Sequence, residues 1–307
     1  METLKKYQVL SIPELINIQN IVQYRVKPNR NYFILELMNN ANKVKAISFL
    51  KTELFEYMKK NDFKFELKNA EIKITNPNYK FNGEEYPIFE IMSLKENGIY
   101  SFLLSSNEFL SKNIIAFFST YYLGYKELNN PDFINVLKNK YNYTSSIQLQ
   151  MAVEELNQVL TNSLPTIFSK FDSSITICVV PRAKHEEFYT FNQKLFRSAI
   201  SDWISWYNRQ YNAPLLDGTH YILRHSDTKT THTKNYDVED NLPLPYVGIT
   251  RNTCNIAADV CGKNILLIDD IYTKSVNVDE DCIQALYDNG AKSVILYTVA
   301  FTNKNKI

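Results

Sequence analysis

Glycine is scarce in this chain, with seven in 307 residues. That excludes collagen-like and glycine-rich low-complexity architectures. Cysteine is scarcer still: Cys178, Cys254, Cys261 and Cys282. Their spacing fits no zinc pattern, and a chain of this length can bury a sufficient core without disulfides. Reduced thiols in a cytosolic protein are therefore expected. Net charge is almost absent, at +1, so neither a generic nucleic-acid footprint nor a membrane-surface footprint is expected. No uncharged apolar run approaches the length of a membrane span. The opening METLKKYQVLSIPELINIQN has neither the apolar core nor the small-residue cleavage site of a signal peptide, which again points to the cytoplasm.

What is present is ordinary globular composition, 45% hydrophobic and 22% charged, at a length that suits two domains. No internal repeat interrupts it. The region 1–140 reads as an α+β domain, serving either as a hood over a site or as an interaction domain. Within it, Val44–Lys60 has helical spacing, with Ile47, Leu50, Leu54, Phe55 and Met58 on one stripe. Phe63–Ile74 alternates as strands do. Tyr86–Leu94 and Gly98–Leu104 suit a hairpin. Ser106–Tyr121 and Pro131–Lys138 read as helices.

The pattern changes in 141–307. Ser145–Phe168 reads as one long helix, capped by Ser145 or Ser146 and bent at Pro165. SITICVVP, from Ser174, is a continuous apolar run, as in a strand covered on both faces. A helix over Phe191–Arg209 and a short strand over His220–Leu223 follow. A long polar stretch, Arg224–Thr253, leads to strand Asn264–Asp269, helix Val278–Asn289 and strand Ser293–Phe301. Strands alternating with helices predict an α/β fold with a parallel sheet between helical layers.

The chemistry concentrates in Lys263–Ala300. An apolar strand, ILLI, ends in adjacent carboxylates, Asp269 and Asp270. A short polar turn, Thr273, Lys274, Ser275, Val276 and Asn277, then opens a helix. Ligands of parallel sheets bind at the carboxyl ends of the strands. A helix N-terminus there suits phosphate, and carboxylates beside it can accept hydrogen bonds from sugar hydroxyls. Such a unit holds both ends of a ribose 5-phosphate. The acidic run Asp279–Asp281 reads as the acidic first turn of that helix.

This segment resembles the signature of type I phosphoribosyltransferases, in which two acids are followed by T-T-G-x-T. Upstream, VVPRAKHEEFYTFNQKLF resembles the corresponding segment of ComF-type proteins of that family and keeps the F-N-Q core at Phe191, Asn192 and Gln193. The resemblance covers about Ser174–Thr302. It implies a ligand, phosphoribosyl pyrophosphate (PRPP) or a related ribose phosphate, and Mg2+ as the metal at Asp269 and Asp270. Those acids would meet the ribose hydroxyls, and Thr273–Asn277 the 5′-phosphate, with Lys274 supplying a cation for it. Asn277 would cap the helix. Arg182, Ala183 and Lys184 would form the pyrophosphate loop. Lys229 and His232 would lie on a mobile catalytic loop, His232 as proton donor. Transfer of ribosyl phosphate to an acceptor is the implied activity, and a homodimer the candidate assembly. With Ser275 where the family has glycine, a diverged nucleotide-sensing or defence-associated module on the same fold is the alternative.

Overall fold

The computed structural model describes residues 9–11, 23–28, 33–38, 43–48, 66–81, 84–96, 99–124, 130–230 and 241–302, with side chains from residue 99 onward. The chain divides into two compact units, Met1–Leu103 and Leu104–Ile307. The division thus falls well before residue 140. The reason is that strand Ile114–Tyr122 and helix Asp132–Lys138 build the second unit's sheet and helical layer.

In the first unit the described residues are all strand: β1 (Val9–Ser11), β2 (Gln23–Pro28), β3 (Phe33–Met38), β4 (Lys43–Ser48), β5 (Glu66–Phe81), β6 (Glu84–Glu96) and β7 (Ile99–Leu104). β2, β3 and β4 pair antiparallel in sequence, and β5 and β6 form a long antiparallel pair. β6 and β7 pair antiparallel, Glu96 opposite Ile99, as the hairpin pattern predicts. The helix expected over Val44–Lys60 is not there at its start, since Lys43–Ser48 is strand; the remainder lies outside the described residues. KVKAIS alternates with period two, and that local pattern prevails over the longer helical stripe.

The second unit is α/β. β8 (Ile114–Tyr122), β9 (Ile175–Val179), β10 (Leu215–Asp217), β13 (Asn264–Tyr272) and β14 (Ser293–Thr302) form parallel pairs in the order β10-β9-β13-β14-β8. Every residue of β9 and of Asn264–Ile268 in β13 is buried. Side chains alternate between faces, so burial of consecutive residues means that both faces are covered. Helices α1 (Asp132–Lys138), α2 (Ser146–Phe168) and α3 (Leu195–Tyr211) pack together, as do α4 (Ile249–Thr253) and α5 (Val278–Asp288). A separate antiparallel pair, β11 (Ile222–Arg224) with β12 (Cys254–Ile256), closes the segment between β10 and β13.

Ser145 caps α2 with a capping box to Gln148, and Pro165 lies within that helix. Ser106–Tyr121, expected as helix, is not helical: its first half is irregular and its second half, from Ile114, is strand β8. Its run IIAFFSTYY is apolar on both sides, which periodicity cannot assign. β-branched and aromatic residues favour the sheet, where Ala116, Phe117 and Phe118 are buried beside β14. No helix among the described residues is long and apolar enough to cross a membrane.

Candidate functional site

β13 carries Asp269 and Asp270 toward its carboxyl end, with Asp269 opposite Thr298 of β14. The strand ends at Tyr272, a turn follows, and α5 begins at Val278, which is the order of elements expected from the sequence. The Val276 N–H donates to the Thr273 carbonyl (3.0 Å), and the hydroxyls of Thr273 and Thr302 lie 2.9 Å apart. Lys274 and Ser275 are exposed.

The turn manages without glycine because its left-handed residue is Asn277, at φ 60°. Asparagine tolerates that region better than other side-chain-bearing residues. The same geometry corrects the expected cap: a capping residue normally has extended backbone, and Asn277 makes no side-chain bond to α5. Its Oδ1 instead accepts from Asn107 Nδ2 at 3.1 Å.

The acidic run at the start of α5 is not a solvated first turn. Asp279, Glu280 and Asp281 are all buried. Asp281 accepts the backbone N–H groups of Gly248 (2.5 Å) and Thr250 (2.7 Å), closing the first turn of α4. Glu280 accepts from the Tyr272 hydroxyl at 2.8 Å. Asp279 lies against Asp269. Burial, then the charge of Asp270, pushes Asp269 up to about 7; burial, then Asp269, pushes Asp279 well above the usual carboxylate range. Asp279 Oδ1 has no conventional donor facing it. Two acids so placed disfavour both carrying charge at once.

A cavity of about 180 Å³ opens over these acids, with Asp269, Asp270, Thr273, Val276 and Asp279 on its wall. Lys138, Arg182, Arg224 and Lys229 bring cations to the same wall, with Ala183, Thr228 and Thr230 between them. Lys138, from the last turn of α1, lies 3.0 Å from Asp270 Oδ1. Arg224 is 4% exposed. Its Nε donates to the Arg182 carbonyl and its Nη1 to Thr253 Oγ1, each at 2.5 Å. Two of its hydrogen bonds thus go to neutral acceptors in a buried setting, where a guanidinium favours an anionic partner.

The structure therefore brings Asp269, Asp270, Thr273, Val276, Arg182, Ala183 and Lys229 to one cavity. Lys184, Lys274, Ser275 and Asn277 are not on its wall, and His232 lies outside the described residues. The 182–185 loop differs from expectation in how its donors are spent. The Arg182 guanidinium donates to the Gln193 carbonyl (2.5 Å) and sits 4.4 Å over the Tyr189 ring. The Lys184 N–H donates to the Tyr189 hydroxyl (3.0 Å) and the His185 N–H to Asp227 Oδ1 (2.7 Å). Thr228 donates both its N–H (2.8 Å) and its hydroxyl (3.0 Å) to the Ala183 carbonyl, tying the polar segment after β11 to this loop.

Sequence reading missed Lys138, Arg224 and Asp279. Only the position of Arg224, at the end of an apolar strand facing the loop, offered a signal. No group of three or more His, Cys, Asp or Glu among the described residues is arranged to hold a metal ion, and Asp270 is already paired with Lys138. Comparison of the chain with family models, with curated proteins and with solved structures found no match.

Proposed function

We propose that the Leu104–Ile307 unit is a type I phosphoribosyltransferase-like domain that binds PRPP or a ribose phosphate of the same layout. The observation that carries this reading is the common cavity: paired acids at the carboxyl end of a central parallel strand, the turn into α5, and Arg224 and Lys229 lining the same cavity. Acids suit a sugar diol, a turn at a helix entrance suits a phosphate, and forked or flexible cations suit a diphosphate.

In this reading Asp269 and Asp270 accept the ribose hydroxyls, with Lys138 swinging from Asp270 toward the ligand's anionic end. Thr273 and Val276 border the 5′-phosphate. Mg2+ enters as the counter-ion of the diphosphate, hence as part of the substrate. Transfer breaks the bond from C1 to the diphosphate oxygen, whose electron pair leaves with pyrophosphate, and an acceptor nucleophile bonds to C1. Arg224 and Lys229 would stabilise the departing charge, and fixed placement of the ring would supply orientation.

A second reading, ligand sensing without turnover, draws support from the Lys138–Asp270 ion pair, which ligand must open, and from the donors already spent in the 182–185 loop. Calorimetry with PRPP and Mg2+, with Asp270→Asn as control, tests binding by either route. Absence of heat, or equal binding by the variant, removes both. Pyrophosphate release over a panel of bases separates enzyme from sensor.

A further inference from the structure

Two loops beside the cavity expose large aromatic side chains. Between α1 and α2, Tyr141 is 66% and Tyr143 89% exposed, their rings stacked at 6.2 Å and 17°. Between β9 and α3, Phe188 is 70% and Phe191 75% exposed. The loops are joined by design of their polar groups. Thr190 Oγ1 donates to Asn142 Oδ1 (3.1 Å), and Gln193 Nε2 donates to the carbonyls of Asn139 and Lys140 (3.3 Å each). Leaving all four rings in water forgoes the free energy that a core placement would give. An exposed group of this kind marks a binding face.

Its charge indicates the occupant. Lys140, whose Nζ sits 5.1 Å over the Tyr141 ring, Lys184 and Lys194 lie on the same two loops. Of the neighbouring acids, Glu186 is held by Arg197 at 2.9 Å, and Glu187 is exposed, so the three lysines outnumber the one open carboxylate on these loops. Lysine is depleted at the centres of protein–protein interfaces. Open aromatic faces interleaved with lysines are instead the chemistry of base stacking combined with phosphate attraction.

We propose that this face binds single-stranded nucleic acid, its bases stacking on Tyr141, Tyr143, Phe188 and Phe191 and its phosphates meeting Lys140 and Lys194. A net charge of +1 for the whole chain does not oppose a local basic patch of this size. Recognition through π-faces is tolerant of base identity, so a preference for unpaired over paired strands is expected, with little preference for sequence.

The test is fluorescence anisotropy of the full chain with a labelled mixed-sequence oligonucleotide, as single-stranded RNA, single-stranded DNA and duplex. No ribose diphosphate is present, so the result reads this face whatever the cavity binds. Both single strands are expected to bind more tightly than the duplex, with affinity falling as salt rises. The double variants Tyr141→Ala/Tyr143→Ala and Phe188→Ala/Phe191→Ala should each weaken binding about tenfold or more. Their melting should be unchanged, because the removed rings are exposed. No binding up to about 100 µM at low salt, or unchanged affinity in both variants, overturns the proposal. So does concentration-dependent self-association that the same variants abolish while no oligonucleotide binds, which assigns the face to a second copy of the chain.

Discussion

Lys138 Nζ lies 3.0 Å from Asp270 Oδ1, joining the last turn of α1 to the carboxyl end of β13. Both side chains are about one-fifth exposed, so solvent screens the pair and its contribution to stability is modest, about 0–1 kcal/mol. Its importance lies in the site. Asp270→Asn should weaken PRPP–Mg2+ binding about tenfold or more, as expected when hydrogen bonds to a charged acceptor are lost. Lys138→Met should leave thermal melting within a few degrees of the parent while weakening binding of the diphosphate ligand. Titration calorimetry on the two variants checks both outcomes. Tighter binding by Lys138→Met would mean that the lysine only blocks Asp270.

Gln193 ties the chain just past α1 to the loop before α3. Its Nε2 donates to the Asn139 and Lys140 carbonyls, while its Oε1 accepts from the Thr190 N–H at 3.1 Å. Gln193→Glu keeps the acceptor and places a carboxylate against two carbonyl oxygens. A loss of about 1–3 kcal/mol is expected, from repulsion and from acceptors left without a donor. Denaturant unfolding measures it. Because the same change loosens the C-terminal end of α1, ligand affinity should fall with it. A variant with parent-like stability would show that Gln193 is not the anchor.

The sequence made the central elements legible because they are long apolar runs between clear breaks. ILLI before two acids gave β13, SITICV gave β9, and Ser145 with Gln148 gave the start of α2. It misassigned Ile114–Tyr122, where an apolar run carries no period and the β-branched and aromatic content should have decided. It did not reveal β10, whose three residues are held by pairing with β9 and not by local preference. In the site, Asp269 and Asp270 were readable as a pair. Lys138 was not, since it reaches Asp270 across more than a hundred residues of chain. The burial of Asp279–Asp281 was hidden for a similar reason: acids at a helix start normally face water, and only α4 and Tyr272 give these their partners.

The pairing of Asp269 with Asp279 makes stability depend on pH. Both acids have folded-state values above the ordinary 3.8, Asp269 at about 7. Between about pH 4 and 7 the folded state therefore holds more protons than the unfolded chain, and stability falls as pH rises through that window. Asp279→Asn can donate to the Asp269 carboxylate and removes one of the two opposed charges. The variant should match the parent near pH 4 and exceed it at pH 8, by on the order of 1–2 kcal/mol after allowance for solvent screening at Asp269. Thermal melting across pH checks this. A difference that stays constant with pH would mean that the two carboxyls do not oppose each other's charge.

The four cysteines should divide by reactivity. Cys178 and Cys282 lie in the core, and burial pushes Cys178 up to about 12 and Cys282 well above its usual range. Cys254 is buried beside Thr253, and burial raises it too. Only the thiolate reacts with a disulfide reagent, and only where the reagent can reach it. Cys261, exposed at the end of the turn before β13, meets the second condition. The folded protein should therefore react rapidly at one thiol, and the remaining three should react only as fast as the unit opens. Ligand that stabilises the Leu104–Ile307 unit should slow those three without affecting Cys261, because stabilisation lowers the population of open states. Thiol titration with and without PRPP–Mg2+ checks both statements. Rapid reaction at two or more sites in the native protein would show that the sheet around β9 or α5 is less closed than the burial of its side chains requires.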